Sequence, residues 1–390
     1  GAIENILGNA LAKGLVPGIA DPLKAPLETI GYCVDVSNRR VFWFITNFTG
    51  SSGDDIRTMQ RASSGHYCAI LTVDLDQNSA SPIQNILNGN WLNFSKNHLI
   101  TGVNLIDDLL FWTDNYNQPR KINITKALNS AQAGTQYYIM EEQISVAKVP
   151  PYLAPILYNN SGEGDLITLK NNPNITSDYL KERFVRFSYR YKYEDGEYST
   201  MAPFTQIIFK PLNSAKIEEV DFSTTGYDVQ DIYNKTIVDI MKNDYNQLEL
   251  RIPLPSDDYI GSYPDSNNGY GWDNYLRITK IEILIKQAEQ DVVKVIKEID
   301  VTNDSLTALL TDFTNNINIY TVSPNGADTY YRYVYKFNYK SEEPYKILKD
   351  DQITRVFDQV PIRARAQEIS GNRIIYGNFT ENYNLPKDEA

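Results

Sequence analysis

Leu109-Leu110-Phe111-Trp112-Thr113-Asp114 is an unbroken apolar and aromatic run that closes on an acid. It stands behind a short polar break, Asp107-Asp108, and a weaker strand-like stretch, Leu99-Ile100-Thr101-Gly102-Val103. Two such runs around a tight polar break read as a β-hairpin. The same plan occurs upstream, where Gly31-Tyr32-Cys33-Val34-Asp35-Val36 meets the turn Ser37-Asn38-Arg39 and then Val41-Phe42-Trp43-Phe44-Ile45-Thr46-Asn47. It occurs again near the far end, in Ala364-Arg365-Ala366-Gln367-Glu368-Ile369, the turn Gly371-Asn372, and Arg373-Ile374-Ile375-Tyr376-Gly377-Asn378. Repeated short hairpins are how propeller blades are built. The irregular spacing excludes a strict repeat array. The fold expected is mainly β: a propeller-like domain of short hairpin blades, interrupted by inserted immunoglobulin- or fibronectin-like β-sandwiches.

Working outward, residues 1–28 form an N-terminal arm with a helical stretch, Ile3 to Leu15, followed by Gly and Pro punctuation at Gly14, Pro17, Gly18, Pro22 and Pro26. Residues 29–126 hold the propeller-type blades, and 127–174 read as linker and loops. The insertion then supplies one sandwich over 175–255 and a second over 256–352, before 353–390 return to the propeller. Inside the insertion, Phe184-Val185-Arg186-Phe187-Ser188-Tyr189-Arg190-Tyr191-Lys192-Tyr193 alternates bulky and polar residues, which predicts a strand with one aromatic and one basic or polar face. Glu194-Asp195-Gly196-Glu197 follows as a tight turn, with Gly196 supplying positive φ, and a return strand is expected from Thr205 to Phe209. Further strands are expected over Leu248–Ile252, Ile278–Ile285, Val292–Ile299 and Tyr330–Phe337, and a helix over Val229–Lys242.

Composition agrees with an all-β interaction protein. The 390 residues suit two to four domains, and 28 Tyr stand against 14 Phe and 4 Trp. Tyr favours pleated, half-buried surfaces and interfaces, since its ring is apolar and its tip forms hydrogen bonds. A net charge of −12 argues against a duplex-coating protein, which needs basic residues to neutralise phosphate. An acidic channel that lets DNA pass without sticking fits that balance, and so does plain solubility. Cys33 and Cys68 are too few for a disulfide framework and read as buried free thiols. No apolar window of roughly 18 residues predicts a membrane-spanning helix. The chain opens on Gly1-Ala2-Ile3, without a Met or a signal peptide, and is expected to be a piece of a longer protein.

Chemistry-bearing constellations are sparse. His66 and His98 are the two histidines; His66 with Cys68 resembles a thiol dyad in spacing, but no neighbouring cation is visible to lower the thiol pKa. The acid pairs Asp54-Asp55, Asp107-Asp108 and Asp257-Asp258 read as turn residues rather than glycosidase carboxylates. The loop from Asp257 through Asp265-Ser266-Asn267-Asn268 is rich in oxygen ligands but lacks the ordered spacing of a calcium loop. Ser161-Gly162-Glu163-Gly164 has no following Lys and carries an acid where phosphate would sit. No catalytic, metal or cofactor-binding residue is therefore expected, and no enzyme. Tyr189, Tyr191, Tyr193, Tyr331, Tyr333 and Tyr335 lie on period-two stripes and read either as sandwich core or as subunit-contact anchors.

Phe187-Ser188-Tyr189-Arg190-Tyr191-Lys192-Tyr193-Glu194-Asp195-Gly196-Glu197-Tyr198-Ser199 resembles a strand-turn-strand segment of large tail proteins in short-tailed phages. So do Ile353-Thr354-Arg355-Val356-Phe357-Asp358-Gln359-Val360-Pro361, Arg363 to Gln367, and Gly371 to Asn378. The likeness is nearest to the tail nozzle, or muzzle, proteins of crAss-like bacteriophages that infect gut Bacteroidales. It runs over 29–126 and 180–385, while 212–275 is longer and richer in Asn and Asp than that pattern. The resemblance implies a structural protein of the virion tail, made in the bacterial host cytoplasm. It implies a homo-oligomer, a ring of six copies joined to other tail proteins around the channel used for genome ejection. Leu110-Phe111-Trp112-Thr113-Asp114 also looks like the Tyr-Trp-Thr-Asp blades of lipoprotein receptors, a likeness of blade geometry alone. Propellers and sandwiches equally serve as host-surface glycan- or receptor-binding modules, and less often as glycan-cleaving enzymes.

Overall fold

A computed structural model describes residues 27–50, 60–63, 65–74, 83–157, 169–170, 172–176, 179–181, 183–209, 243, 245–253, 276–287, 290–301, 317–322, 330–340, 346–353, 360–371 and 373–381. The expected helices at 3–15 and 229–242, the pairs Asp54-Asp55 and Asp257-Asp258, the loop to Asn268 and the 161–164 stretch lie outside the described residues. Among the described residues the chain is mainly β, built from antiparallel sheets, all of them open. It divides into two compact units, one from Gly1–Ala147 with Phe357–Ala390, the other from Lys148–Val356.

The first unit begins with a four-stranded meander: β1 (Glu28–Asp35), β2 (Arg40–Thr46), β3 (Cys68–Asp74) and β4 (Ile83–Asn88), paired in chain order. The turn from β1 to β2 is held by Asp35, whose carboxylate accepts from Asn38 N at 3.0 Å and Asn38 Nδ2 at 2.8 Å. A second meander follows, with β5 (Gly102–Ile106), β6 (Leu109–Thr113) and β7 (Arg120–Asn123). Leu109–Thr113 is thus the central strand of a three-stranded sheet. Its Trp112 is fully buried and packs its ring 5.5 Å from Phe44 of β2 and 6.4 Å from Phe94. One apolar cluster joins the two meanders through these rings, Ile70 and Leu110.

Residues 127–174 are not simply a linker. Helix α1 (Ile124–Gln132) starts where the Asn123 side chain accepts from Lys126 N at 2.9 Å, and it buries Ile124, Ala127 and Leu128. An Asn cap ahead of apolar residues at three- and four-residue spacing was the signal for it. The short helix α2 (Glu141–Ile144) follows.

Among its described residues the second unit contains two sheets. Strands β8 (Ile156–Leu157), β9 (Leu169–Lys170), β10 (Val185–Tyr193), β11 (Gln247–Pro253), β12 (Ile278–Gln287), β13 (Val293–Asp300), β14 (Ile317–Val322), β15 (Tyr330–Lys340) and β16 (Lys346–Ile347) precede a short helix, α3 (Asp350–Ile353). One sheet runs β10-β12-β13-β16; the other runs β14-β15-β11-β8, with β9 also on β11. Each sheet therefore takes strands from both sides of residue 255, and two consecutive sandwiches over 175–255 and 256–352 are not what forms. Cross-strand complementarity decides this: β10 finds its partner in β12, with Arg190 directly opposite Glu282. A ring contact of 5.5 Å between Phe187 and Tyr339 joins the two sheets.

The turn after β10 is as expected, with Gly196 at φ 82°. The return segment differs from a regular strand. Its amides at Ser199, Ala202, Thr205 and Ile208 bond to the carbonyls of Tyr191, Tyr189, Phe187 and Val185. Three residues are spent for every two on β10, so only isolated bridges form. Two of the paired residues also turn hydroxyls inward: Ser199 Oγ and Thr205 Oγ1 accept from Tyr191 N and Phe187 N, each at 3.0 Å.

After the second unit, β17 (Arg363–Ser370) and β18 (Arg373–Thr380) form a two-stranded sheet around Gly371, at φ 56°. This hairpin belongs to the first unit and packs on β5 and β6.

Candidate functional site

The distinctive feature of the first unit is a seam at which three sheets meet through their leading strands. Ile100 N bonds to Ile30 O at 2.9 Å, bringing the approach to β5 against β1. On its other side, Thr101 Oγ1 bonds to Arg365 O at 2.7 Å and Asn115 N to Ala364 O at 3.0 Å, bringing β17 against β5 and the end of β6. Two glycines make the approach sterically possible. A Cβ on Gly31 would stand 2.8 Å from Ile100 Cβ and from its carbonyl oxygen. A Cβ on Gly102 would stand 2.8 Å from Gln367 N and from Thr113 Oγ1. Glycine within a strand often marks such a place. Ile30-Gly31-Tyr32 and Thr101-Gly102-Val103 carried that signal, which the sequence reading passed over.

The six tyrosines divide differently. Tyr189, Tyr191, Tyr193 and Tyr335 are all buried inside the chain, the first with its ring 5.8 Å from that of Tyr191. Burial, and after it the neighbouring Tyr189, pushes the Tyr191 phenol well above its ordinary pKa. Burial, and after it Asp195, pushes Tyr193 up too, and Tyr193 Oη donates to Val149 O. Their area is thus already used within the second unit, and they offer a partner no surface. Tyr331 and Tyr333 fall on the described backbone of β15, but their side chains lie outside the described residues.

The opposite face of β10 is partly exposed at Arg186 and Lys192 but buried at its centre, at Ser188 and Arg190. Arg190 and Glu282 are 2% and 1% exposed and paired at 2.7 Å. The guanidinium also lies 4.0 Å over the Tyr198 ring. This is a structural clamp.

The thiol dyad does not assemble. His66 Nδ1 accepts from Ser63 N at 3.0 Å, while the Cys68 thiol lies 3.3 Å from Thr46 Oγ1 and donates to Phe94 O at 3.7 Å. Burial pushes that thiol up, away from the thiolate. Cys33 is half-buried, and both cysteines are free. Asp107 and Asp108 sit in the β5–β6 turn, where Asp108 Oδ2 accepts from Thr125 Oγ1 at 2.9 Å. Among the described residues no group of three or more His, Cys, Asp or Glu could hold a metal ion. No described helix is long and apolar enough to cross a membrane.

A second ionic cluster ties α2 to the first unit. Glu141 takes Arg120 on Oε1 and Arg61 on Oε2, both at 2.7 Å, and the buried Arg120 also donates to Leu92 O. Burial opposes ionisation of Glu141, but the two guanidiniums outweigh it and hold the carboxyl below the usual carboxylate range. A folded-state pKa below the unfolded one adds stability above the unfolded pKa, and that stability is lost as pH falls through the folded one. Arg61→Ala is therefore expected to raise the pH midpoint of acid unfolding. Because Arg61 is 71% exposed, the loss at neutral pH should stay under about 1 kcal/mol. Circular dichroism followed through an acid titration reads both; an unmoved midpoint would remove Arg61 from the account.

Near Arg61 lies a half-open cleft of about 770 Å³, lined among others by Asn47, Phe48, Gln60 and His66. The Phe48 and His66 rings meet edge to face at 4.6 Å on its wall. Comparison with known proteins gives no match: no family model, no curated protein and no solved structure aligns significantly with the chain.

Proposed function

We propose that the chain is a structural wall component of a phage tail nozzle. In this reading the first unit is the propeller-type body, and the second, with its two sheets, is an immunoglobulin-like insert. Copies, six in number, stand in a ring with other tail proteins around the channel through which the genome leaves. The observation that carries the reading is the seam: successive antiparallel meanders present their leading strands to one another, as propeller blades do at their hub. The hairpin at 363–380 joins that hub after more than two hundred intervening residues of chain. The likeness of 187–199 and 353–378 to nozzle proteins supplies the setting. A net charge of −12 suits a wall past which DNA slides without binding. Contacts would be heterologous and ring-closing.

Native mass spectrometry and electron microscopy of the purified chain test this. Closed rings of several copies are the expected result. A monomer at every concentration, retained on a host polysaccharide column, would favour the other reading, a surface-glycan- or receptor-binding tail module. That second reading has one observation of its own, the cleft at Phe48 and His66, where an aromatic wall stands beside amide and guanidinium donors.

A further inference from the structure

The cleft beside Arg61 holds about 770 Å³, within the roughly 300–1,000 Å³ usual for small-molecule sites. Among the described residues that line it there is no Asp or Glu, and Arg61 is the one with a full charge. Both rims are fixed to the first unit. On one, Ser95 Oγ donates to Thr49 O at 2.5 Å, and a Cβ on the neighbouring Gly50, at φ 67°, would stand 2.5 Å from the same hydroxyl. On the other, Tyr116 Oη donates to Gln60 O, and Ala62 N donates to Asn93 Oδ1 at 2.9 Å. A site held in place beforehand does not pay for ordering when a ligand binds.

The polar groups facing this space are donors, and their partners make them so. Asn47 is 7% exposed, and its Oδ1 accepts from Tyr67 N at 2.7 Å. That bond turns the amide nitrogen the other way, and Nδ2 has no partner among the described residues. A buried amide left half-bonded calls for an acceptor in the cleft, from water or a ligand. His66 Nδ1 accepts from Ser63 N at 3.0 Å, so the neutral ring carries its proton on Nε2, again without a partner among the described residues. Arg61 gives one N–H to Glu141, but Arg120 takes the other oxygen of that carboxylate. Two cations share one anion, and Arg61, 71% exposed, carries the surplus charge to the cleft. The edge-to-face rings of Phe48 and His66 supply an apolar wall.

Donors without an acid reject a basic ligand. One guanidinium among neutral donors matches one carboxylate with hydroxyls around it, and the ring wall matches the C–H face of a sugar. We infer that the cleft binds a hexuronate unit of a polysaccharide, its carboxylate on Arg61 and its hydroxyls on Asn47 Nδ2 and His66 Nε2. The inference rests on the second reading above, the glycan-binding module, and adds which sugar that module takes.

Methyl β-D-glucuronide and methyl β-D-glucoside test it, since they differ only by a carboxylate in place of a hydroxymethyl group. Titrating the glucuronide into the whole isotope-labelled chain should move the NMR amide signals around Asn47 and His66, with half-saturation in the millimolar range. The glucoside should bind about ten-fold more weakly or worse, and so should the glucuronide to Arg61→Gln, each having lost one charge-assisted bond. Unmoved signals of β5 and β6 show that the variant is folded, and the comparison of the two glycosides needs no variant at all. Equal affinity for both glycosides would overturn the inference and leave the glycan reading standing. No movement with either would overturn it too, and retention on the polysaccharide column then decides the wider reading separately. Acetate moving the same signals at the same concentration would mean an adventitious anion only, and would equally overturn it.

Discussion

Glu282→Ala is expected to destabilise the Lys148–Val356 unit by about 3–5 kcal/mol, far more than a surface pair would. Arg190 Nε and Nη2 both reach Glu282 Oε2 at 2.7 Å, in a site where neither side chain is more than 2% exposed. Gln352 adds its carbonyl and side-chain oxygens at 3.4 Å, and Tyr198 covers the guanidinium plane. Removing the carboxylate leaves a buried cation with weak neutral partners, and that uncompensated charge is the source of the loss. The converse follows from the same physics. Arg190→Met combined with Glu282→Leu should recover most of the stability, because the pair's attraction only offsets its desolvation. Urea unfolding of both single variants and the double variant measures the coupling. Two single variants costing under about 1 kcal/mol each would mean that water reaches the pair, contrary to its burial.

The same pair shows what was legible in the sequence. Arg190 stands in the middle of Phe187-Ser188-Tyr189-Arg190-Tyr191, and Glu282 in the middle of Ile281-Glu282-Ile283-Leu284. Each strand was readable alone from its alternation or its apolar run. The period-two reading put Arg190 on a basic or polar face and named no partner for it, because it judges a strand by its own pattern. Two opposite charges, each embedded in an apolar strand, were the available sign that the strands pair across them. Pairing also explains the inserted region: β10 with β12 and β11 with β15 are long-range choices that local pattern does not contain. The return strand expected over Thr205–Phe209 does not form as a regular strand for a related reason, since the three-for-two pairing of 199–208 depends on hydroxyls meeting β10 amides. In the first unit the hairpins were legible because turn and strand are both local. The helix after Asn123 was missed by fixing on strand signals beside an ordinary cap. Of the seam, the strands were visible, but which strands touch was written only in Gly31 and Gly102.

Gly102→Val therefore puts the seam itself to the test. The cost is expected to be about 3 kcal/mol or more, at the upper end for overpacking, because the atoms in the way are not flexible side-chain ends. A Cβ there meets the backbone nitrogen of Gln367 and the hydroxyl of Thr113, each at 2.8 Å, and Gln367 Cγ at 2.9 Å. Neither the strand β5 nor its neighbour β17 can yield without breaking a bond that holds them, Thr101 Oγ1 to Arg365 O. The β17–β18 hairpin has little stability of its own, being two strands only, so it should detach before the meanders unfold. Hydrogen exchange gives the pattern: protection lost first at the β17 and β18 amides, then at β5, with β10 and β12 unchanged. Gly377→Ala is the control in the same hairpin. A Cβ there has Ala366 Cβ as its neighbour at 3.7 Å, ordinary van der Waals contact, so stability should stay within about 0.5 kcal/mol of the parent. Equal effects from the two substitutions would show that strand propensity, and not close approach of sheets, sets the requirement for glycine, and the propeller reading would lose its main support.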